Sequence, residues 1–122
     1  MTDPQKTVLV VDNDEDWLSL LERLLVSEGY RVLKAQNCAA AIKLAAQERL
    51  HCVIADLKIG AEDGMAVCCA IKRSPELKHV PVIMLSGAEQ PETNCGCSCD
   101  AFVCKADGTT LLLKAVRKAL TP

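Results

Sequence analysis

The feature that most constrains this chain is an alternation. Short β-branched runs take turns with helical stretches, and most of the runs end on a polar side chain able to do chemistry. Lys6 to Val11 is an apolar run ending in acid, the pattern of a strand buried on both faces. Asp14 to Glu28 reads as a helix. Trp17, Leu20, Leu21, Leu24 and Leu25 recur at helical spacing, acids crowd its start, and Gly29 follows its end. Arg31 to Ala35 is a second strand, and Asn37 can cap a helix to about Arg49 with Ile42, Ala45 and Ala46 inward. Cys52 to Ala55 is a third strand, ending at Asp56. Gly60 to Gly64 carries turn chemistry, and a helix from Met65 to about Arg73 is stopped by Ser74-Pro75. Val82 to Leu85 is a fourth strand, running into Ser86-Gly87, and Ala101 to Cys104 a fifth, ending at Lys105. Leu111 to Leu120 is the last helix, with Leu112, Leu113, Val116 and Leu120 available for burial.

Five strands alternating with helical slots imply an α/β sheet covered on both faces, and right-handed crossovers leave few topologies. At 122 residues the chain is long enough for one domain with one core. Half its residues are hydrophobic and a quarter charged, which excludes a disordered chain. Fourteen basic against sixteen acidic residues, with no basic stripe, argue against a nucleic-acid partner. With only Trp17, Tyr30 and Phe102 aromatic, a stacking platform for single strands is not expected either. No apolar run reaches membrane-spanning length and no secretory h-region opens the chain. The expectation is a cytoplasmic protein with no membrane contact.

Sheets of this kind bind ligands outside the carboxyl ends of their strands. Asp12, Asn13, Asp14 and Glu15 follow the first strand, Asp56 the third, Ser86 the fourth and Lys105 the fifth. Each alone has an ordinary explanation as a helix cap, a turn or an exposed lysine. Four such positions, each at the end of a different strand, point to a site. Two carboxylates and a nearby carbonyl suit Mg²⁺. A lysine and a hydroxyl beside them can hold phosphoryl oxygens. A carboxylate in that setting can accept a phosphoryl group, because positioning and charge neutralisation supply most of that catalysis.

On these residues the chain resembles the receiver domain of two-component response regulators, of the stand-alone chemotaxis type. The resemblance covers essentially the whole length. It is carried by Val8-Leu-Val-Val-Asp-Asn-Asp-Glu15, Val53-Ile-Ala-Asp-Leu57, Asp63-Gly-Met65, Pro81-Val-Ile-Met-Leu-Ser-Gly87 and Asp100-Ala-Phe-Val-Cys-Lys105. It implies a flavodoxin-like fold, a five-stranded parallel sheet of order 2-1-3-4-5 with helices on both faces. It implies phosphorylation of Asp56 by a histidine kinase or phosphotransfer protein. Mg²⁺ would be held by Asp12, Asp56 and the backbone carbonyl of Lys58, with Asn13 as a further oxygen. Ser86 and Lys105 would contact the phosphoryl group, and Phe102 matches the aromatic that changes rotamer as Ser86 is drawn inward.

Four departures from the family pattern stand out. Asn13 replaces a second acid, which should weaken Mg²⁺ binding. Ala106 follows the lysine where proline is usual, so a cis peptide is not expected. Gly60 replaces a proline, which should loosen the loop after Asp56. The interval from Ser86 to Lys105 is short by about one helical turn. The residues left there, Glu89 to Cys99, include Pro91 and Gly96 and make a poor fourth helix.

The eight cysteines sit mostly within aliphatic segments, as reduced small hydrophobes. Cys52, Cys68 and Cys104 are expected in the core, Cys69 outward and Cys38 partly exposed. Cys99 aligns with a small residue packed beneath the last strand. Cys95 and Cys97 are the candidate reactive thiols, although C-x-C-x-C is not the usual zinc spacing.

The sequence thus reads as a single receiver over residues 1–122 with no output domain, signalling by protein contact through its fourth helix, fifth strand and fifth helix. Its rivals are a pseudo-receiver with weak or absent phosphorylation, and a redox or metal module on Cys95, Cys97 and Cys99.

Overall fold

The computed structural model describes residues 5–87 and 99–121. In chain order its elements are β1 (Thr7–Val11), α1 (Glu15–Ser27), β2 (Arg31–Ala35), α2 (Cys38–Gln47), β3 (Cys52–Asp56), β4 (Lys58–Ile59), β5 (Glu62–Asp63), α3 (Met65–Arg73), β6 (Val82–Ser86), β7 (Ala101–Cys104) and α4 (Thr109–Leu120). A single 3₁₀ turn, Lys105–Asp107, joins β7 to α4. The main sheet has the order β2-β1-β3-β6-β7, and every neighbouring pair is parallel. This is the flavodoxin-like order expected from the sequence, because β4 and β5 form a separate hairpin.

Every residue of β1, β3 and β6 is buried, as their unbroken aliphatic runs require. Alternation along the strands sends side chains to two cores. Leu9, Val11, Val53, Ala55, Val82 and Met84 pack toward α2 and α3. Val8, Val10, Cys52, Ile54, Ile83 and Leu85 pack toward α1 and α4. Each fully buried aliphatic side chain contributes about 1.5–3 kcal/mol.

The helices begin where their caps dictate. The Asp14 carboxylate accepts from Asp16 and Trp17 N–H to start α1, and Asn37 accepts from Ala40 N–H to start α2. Gly108, at φ +85°, turns the chain into α4 two residues earlier than the expected start at Leu111. No helix among the described residues is long and apolar enough to cross a membrane.

Several local expectations are corrected. The inner stripe of α2 is Cys38, Ala41 and Ala45, while Ile42 is 40% exposed and Ala46 faces solvent. Small residues line that face because α2 packs closely on α3. On α1, Leu18 joins Leu21 and Leu25 inside, and Leu20 turns outward. Cys38 is buried rather than partly exposed, whereas Cys104, on an edge strand, is only half-buried. The loop after Asp56 turns at Gly60. It closes as an antiparallel hairpin with Lys58 opposite Asp63 and Ile59 opposite Glu62, and Gly60 takes the φ +64° its turn needs. The expectation of an irregular fourth helix over Glu89 to Cys99 lies, but for Cys99, outside the described residues.

Candidate functional site

Strand register alone assembles the site. Val11 lies opposite Ala55, so Asp12 and Asp56 leave their strands side by side. Asp56 lies opposite Leu85, one residue before Ser86. Ser86 in turn lies opposite Cys104, one residue before Lys105. The four residues therefore form a row along the carboxyl edge of the sheet. Asp12, Asp56 and Ser86 are buried, and Lys105 is half-buried.

The Lys105 ammonium closes the row. Its Nζ donates to Asp56 Oδ2 at 2.7 Å and to Asp12 Oδ2 at 2.9 Å. The other oxygen of each carboxylate takes a backbone N–H, from Asp14 to Asp12 Oδ1 at 3.0 Å and from Lys58 to Asp56 Oδ1 at 3.3 Å. Burial pushes the Asp12 carboxyl above its usual range. The Asp14 amide and Lys105 pull it back, and the charge on Asp56 pushes it further up. Burial acts against the Lys105 ammonium, but its hydrogen bonds to Asp56 and Asp12 outweigh this and hold its pKa above the ordinary value. Two carboxylates sharing one ammonium leave a net negative charge in a mostly buried place, which favours a further cation.

The donor set fits Mg²⁺. Among the described residues no three His, Cys, Asp or Glu side chains come together as a metal site. A cation here would rest on the two carboxylates together with carbonyl or amide oxygens and water, the hard-oxygen set that Mg²⁺ accepts. Asn13 is exposed at the rim and lies against the hairpin turn: a Cβ on Gly60 would stand 3.7 Å from its Nδ2. Lys58 is brought to Asp56 by its own N–H. Phe102, opposite Met84, is half-buried on the core beneath α3, where Cys99 also packs. Cys95 and Cys97 lie outside the described residues.

Two contributors were not read from the sequence as part of the site. Trp17 presents its ring to Lys105, with Nζ 4.9 Å from the centroid. Gly64 donates its N–H to Leu57 O at 2.7 Å and passes directly beneath the Asp56 carbonyl. At the opposite, amino end of the sheet and away from the site, Asp100 Oδ2 accepts from Lys72 Nζ and from Val82 N–H, both at 2.7 Å, and so anchors the entry to β7 against α3. A large aromatic in the first turn after an acidic loop was the available signal for Trp17. Gly64 is set by backbone contacts with Asp56 and Leu57, a few residues earlier, which no hydrophobic period announces.

The chain matches the response regulator receiver domain over residues 8–117. It is 32% identical over 82 residues to the response regulator PleD of Caulobacter vibrioides, covering 67% of this chain and 18% of PleD. It is 25% identical over 120 residues to the polar-differentiation response regulator DivK of Brucella anthropi, covering 94% of this chain and 96% of DivK. Among solved structures it resembles the response regulator TrrA of Thermotoga maritima, in complex with Mg²⁺-BeF, at 26% identity and a TM-score of 0.85, covering 95% of this chain and all of that one. With the parallel sheet, the row of strand-end residues and a match spanning nearly its whole length, the chain belongs to the response regulator receiver domains of two-component signalling.

Proposed function

We propose that this receiver domain takes a phosphoryl group on Asp56, with Mg²⁺ held by Asp12, Asp56 and the Lys58 backbone carbonyl and with Asn13 at the rim. The observation that carries this reading is one ammonium, Lys105, within 2.9 Å of both Asp12 and Asp56 at the sheet edge. The donor is a phosphohistidine on a histidine kinase or phosphotransfer protein. An Asp56 oxygen forms the new O–P bond as the P–N bond breaks, and the electron pair of that bond stays on the histidine nitrogen. Lys105 and Ser86 hold the transferred oxygens, and the Lys58 N–H steadies the accepting carboxylate. Bound Mg²⁺ supplies charge neutralisation to the phosphoryl oxygens. Phe102 changes rotamer as Ser86 turns toward the phosphoryl group. The signal passes to a downstream protein, in the cytoplasm, through the face that includes β7 and α4.

Acetyl phosphate and Mg²⁺ should add one phosphoryl mass to the intact chain, and Asp56→Asn should abolish that gain. Equal labelling of the variant would overturn the assignment.

A further inference from the structure

Trp17 has an evident packing role, since its ring borders the core beneath α1 and α4. That role does not account for its chemistry. Its Nε1 is buried and has no hydrogen-bond partner among the described residues, a cost that phenylalanine or leucine would avoid while filling similar space. The ring is also tied into a closed circuit with the site. Asp12 Oδ1 accepts from Asp14 N–H at 3.0 Å. Asp14 Oδ1 accepts from Trp17 N–H at 3.3 Å. The Trp17 ring lies 4.9 Å from Lys105 Nζ, and Lys105 Nζ returns to Asp12 Oδ2 at 2.9 Å. The residue that fixes the start of α1 thus also fixes where the ring meets the ammonium.

We propose that Trp17 is a positioning residue for phosphoryl transfer: its indole face holds the Lys105 ammonium at the carboxylate pair and steadies it as it passes to the phosphoryl oxygens. This deepens the assignment of Asp56 and rests on it. The ammonium has three neighbours of two kinds. The carboxylates attract it at fixed oxygens, whereas an aromatic face attracts a cation over a broad area. When a phosphoryl group arrives, Lys105 must give up part of its hold on a carboxylate. The ring lets it move without losing its third contact, so less of its position is rebuilt during the reaction.

Two measurements on the full chain test this. By NMR, the Lys105 Cε protons should be shifted upfield by the indole ring current in the unaltered chain, and Trp17→Leu should return them to ordinary lysine positions. In phosphorylation by acetyl phosphate with Mg²⁺, Trp17→Leu should lower the maximal rate about three- to tenfold, the kinetic equivalent of one cation–π contact. The acetyl phosphate concentration at half-maximal rate should stay unchanged, and Trp17→Phe, which keeps an aromatic face, should stay within about twofold of the parent. Unshifted Lys105 protons in the parent would overturn the proposal, as would an unimpaired Trp17→Leu or a Trp17→Phe as slow as Trp17→Leu. Absence of any phosphoryl gain in the parent would overturn the reading of Asp56 itself. The ring-current shift needs no phosphodonor and keeps the two failures apart.

Discussion

The α-carbon of Gly64 and the carbonyl oxygen of Asp56 occupy adjoining space with no room for a side chain between them. A Cβ on Gly64 would stand 1.8 Å from that oxygen and 2.9 Å from its carbon. Gly64 has ordinary helical dihedrals, φ −61° and ψ −20°, so the demand is for space and not for backbone freedom. Backbone cannot yield as a side-chain tip can. Gly64→Ala should therefore destabilise the domain by about 1–3 kcal/mol and displace Asp56, slowing its phosphorylation. Urea titration checks the first effect, and an unchanged midpoint would contradict the close approach.

Gly60 presents the opposite case. Its φ of +64° closes the β4–β5 turn, and proline is locked near −65°. Restoring the proline usual in the family should destabilise this chain by more than about 1 kcal/mol. A raised melting temperature for Gly60→Pro would show that the turn adopts another conformation.

Asn13→Asp should tighten Mg²⁺ binding about tenfold, the scale of one added unit charge in a partly solvated site. Titration calorimetry measures this directly. Trp17 fluorescence offers a second readout, because the indole neighbours Lys105. A variant binding no more tightly than its parent would remove Asn13 from the metal's surroundings.

His51 should impose a pH dependence on stability. Its Nδ1 accepts from Thr7 N–H at 3.0 Å, which requires the neutral ring. Burial lowers its pKa, helped by the positive charges of Lys6 and Arg49. The unfolded chain therefore binds a proton that the folded chain refuses. The stabilisation is fully present above the ordinary histidine value near 6.5 and is lost as pH falls toward the depressed folded value. Between pH 7.5 and pH 5 the parent should lose more stability than His51→Gln, measured by urea midpoints. Parallel curves would sink the idea.

Cys52 should be chemically silent. Burial pushes its thiol up to about 12, and neither Cys52 nor Cys68 is solvent-exposed. Iodoacetamide at pH 8 should leave both unmodified until denaturant is added, because access is lacking at both and Cys52 lacks the thiolate as well. Mass mapping of the native protein decides this, and early labelling of Cys52 would mean that β3 opens easily.

The sheet was legible because β1, β3 and β6 are buried on both faces and show it as unbroken aliphatic runs. Asp12, Asp56, Ser86 and Lys105 were legible because each ends or follows a strand, and register then carries them together. The β4–β5 hairpin was not, since two-residue strands such as Lys58–Ile59 and Glu62–Asp63 have no period to read. The inner face of α2 was misjudged because alanine gives a weak signal. The choice between Ala41 and Ile42 is made by α3, through close packing that small residues permit. The meeting of Trp17 with Lys105 joins the first and last turns of the site across most of the chain, and nothing local in either segment announces it.

The hairpin has a mechanical consequence. Glu62 Oε1 accepts from the Cys38 N–H at 3.1 Å, at the start of α2. One residue later, Asp63 Oδ1 accepts from the Met65 N–H at 2.9 Å, at the start of α3. Two helices on one face of the sheet are thus yoked to consecutive residues of the loop that leaves Asp56. A displacement of that loop would strain both helix starts at once, because the two bonds leave from neighbouring residues.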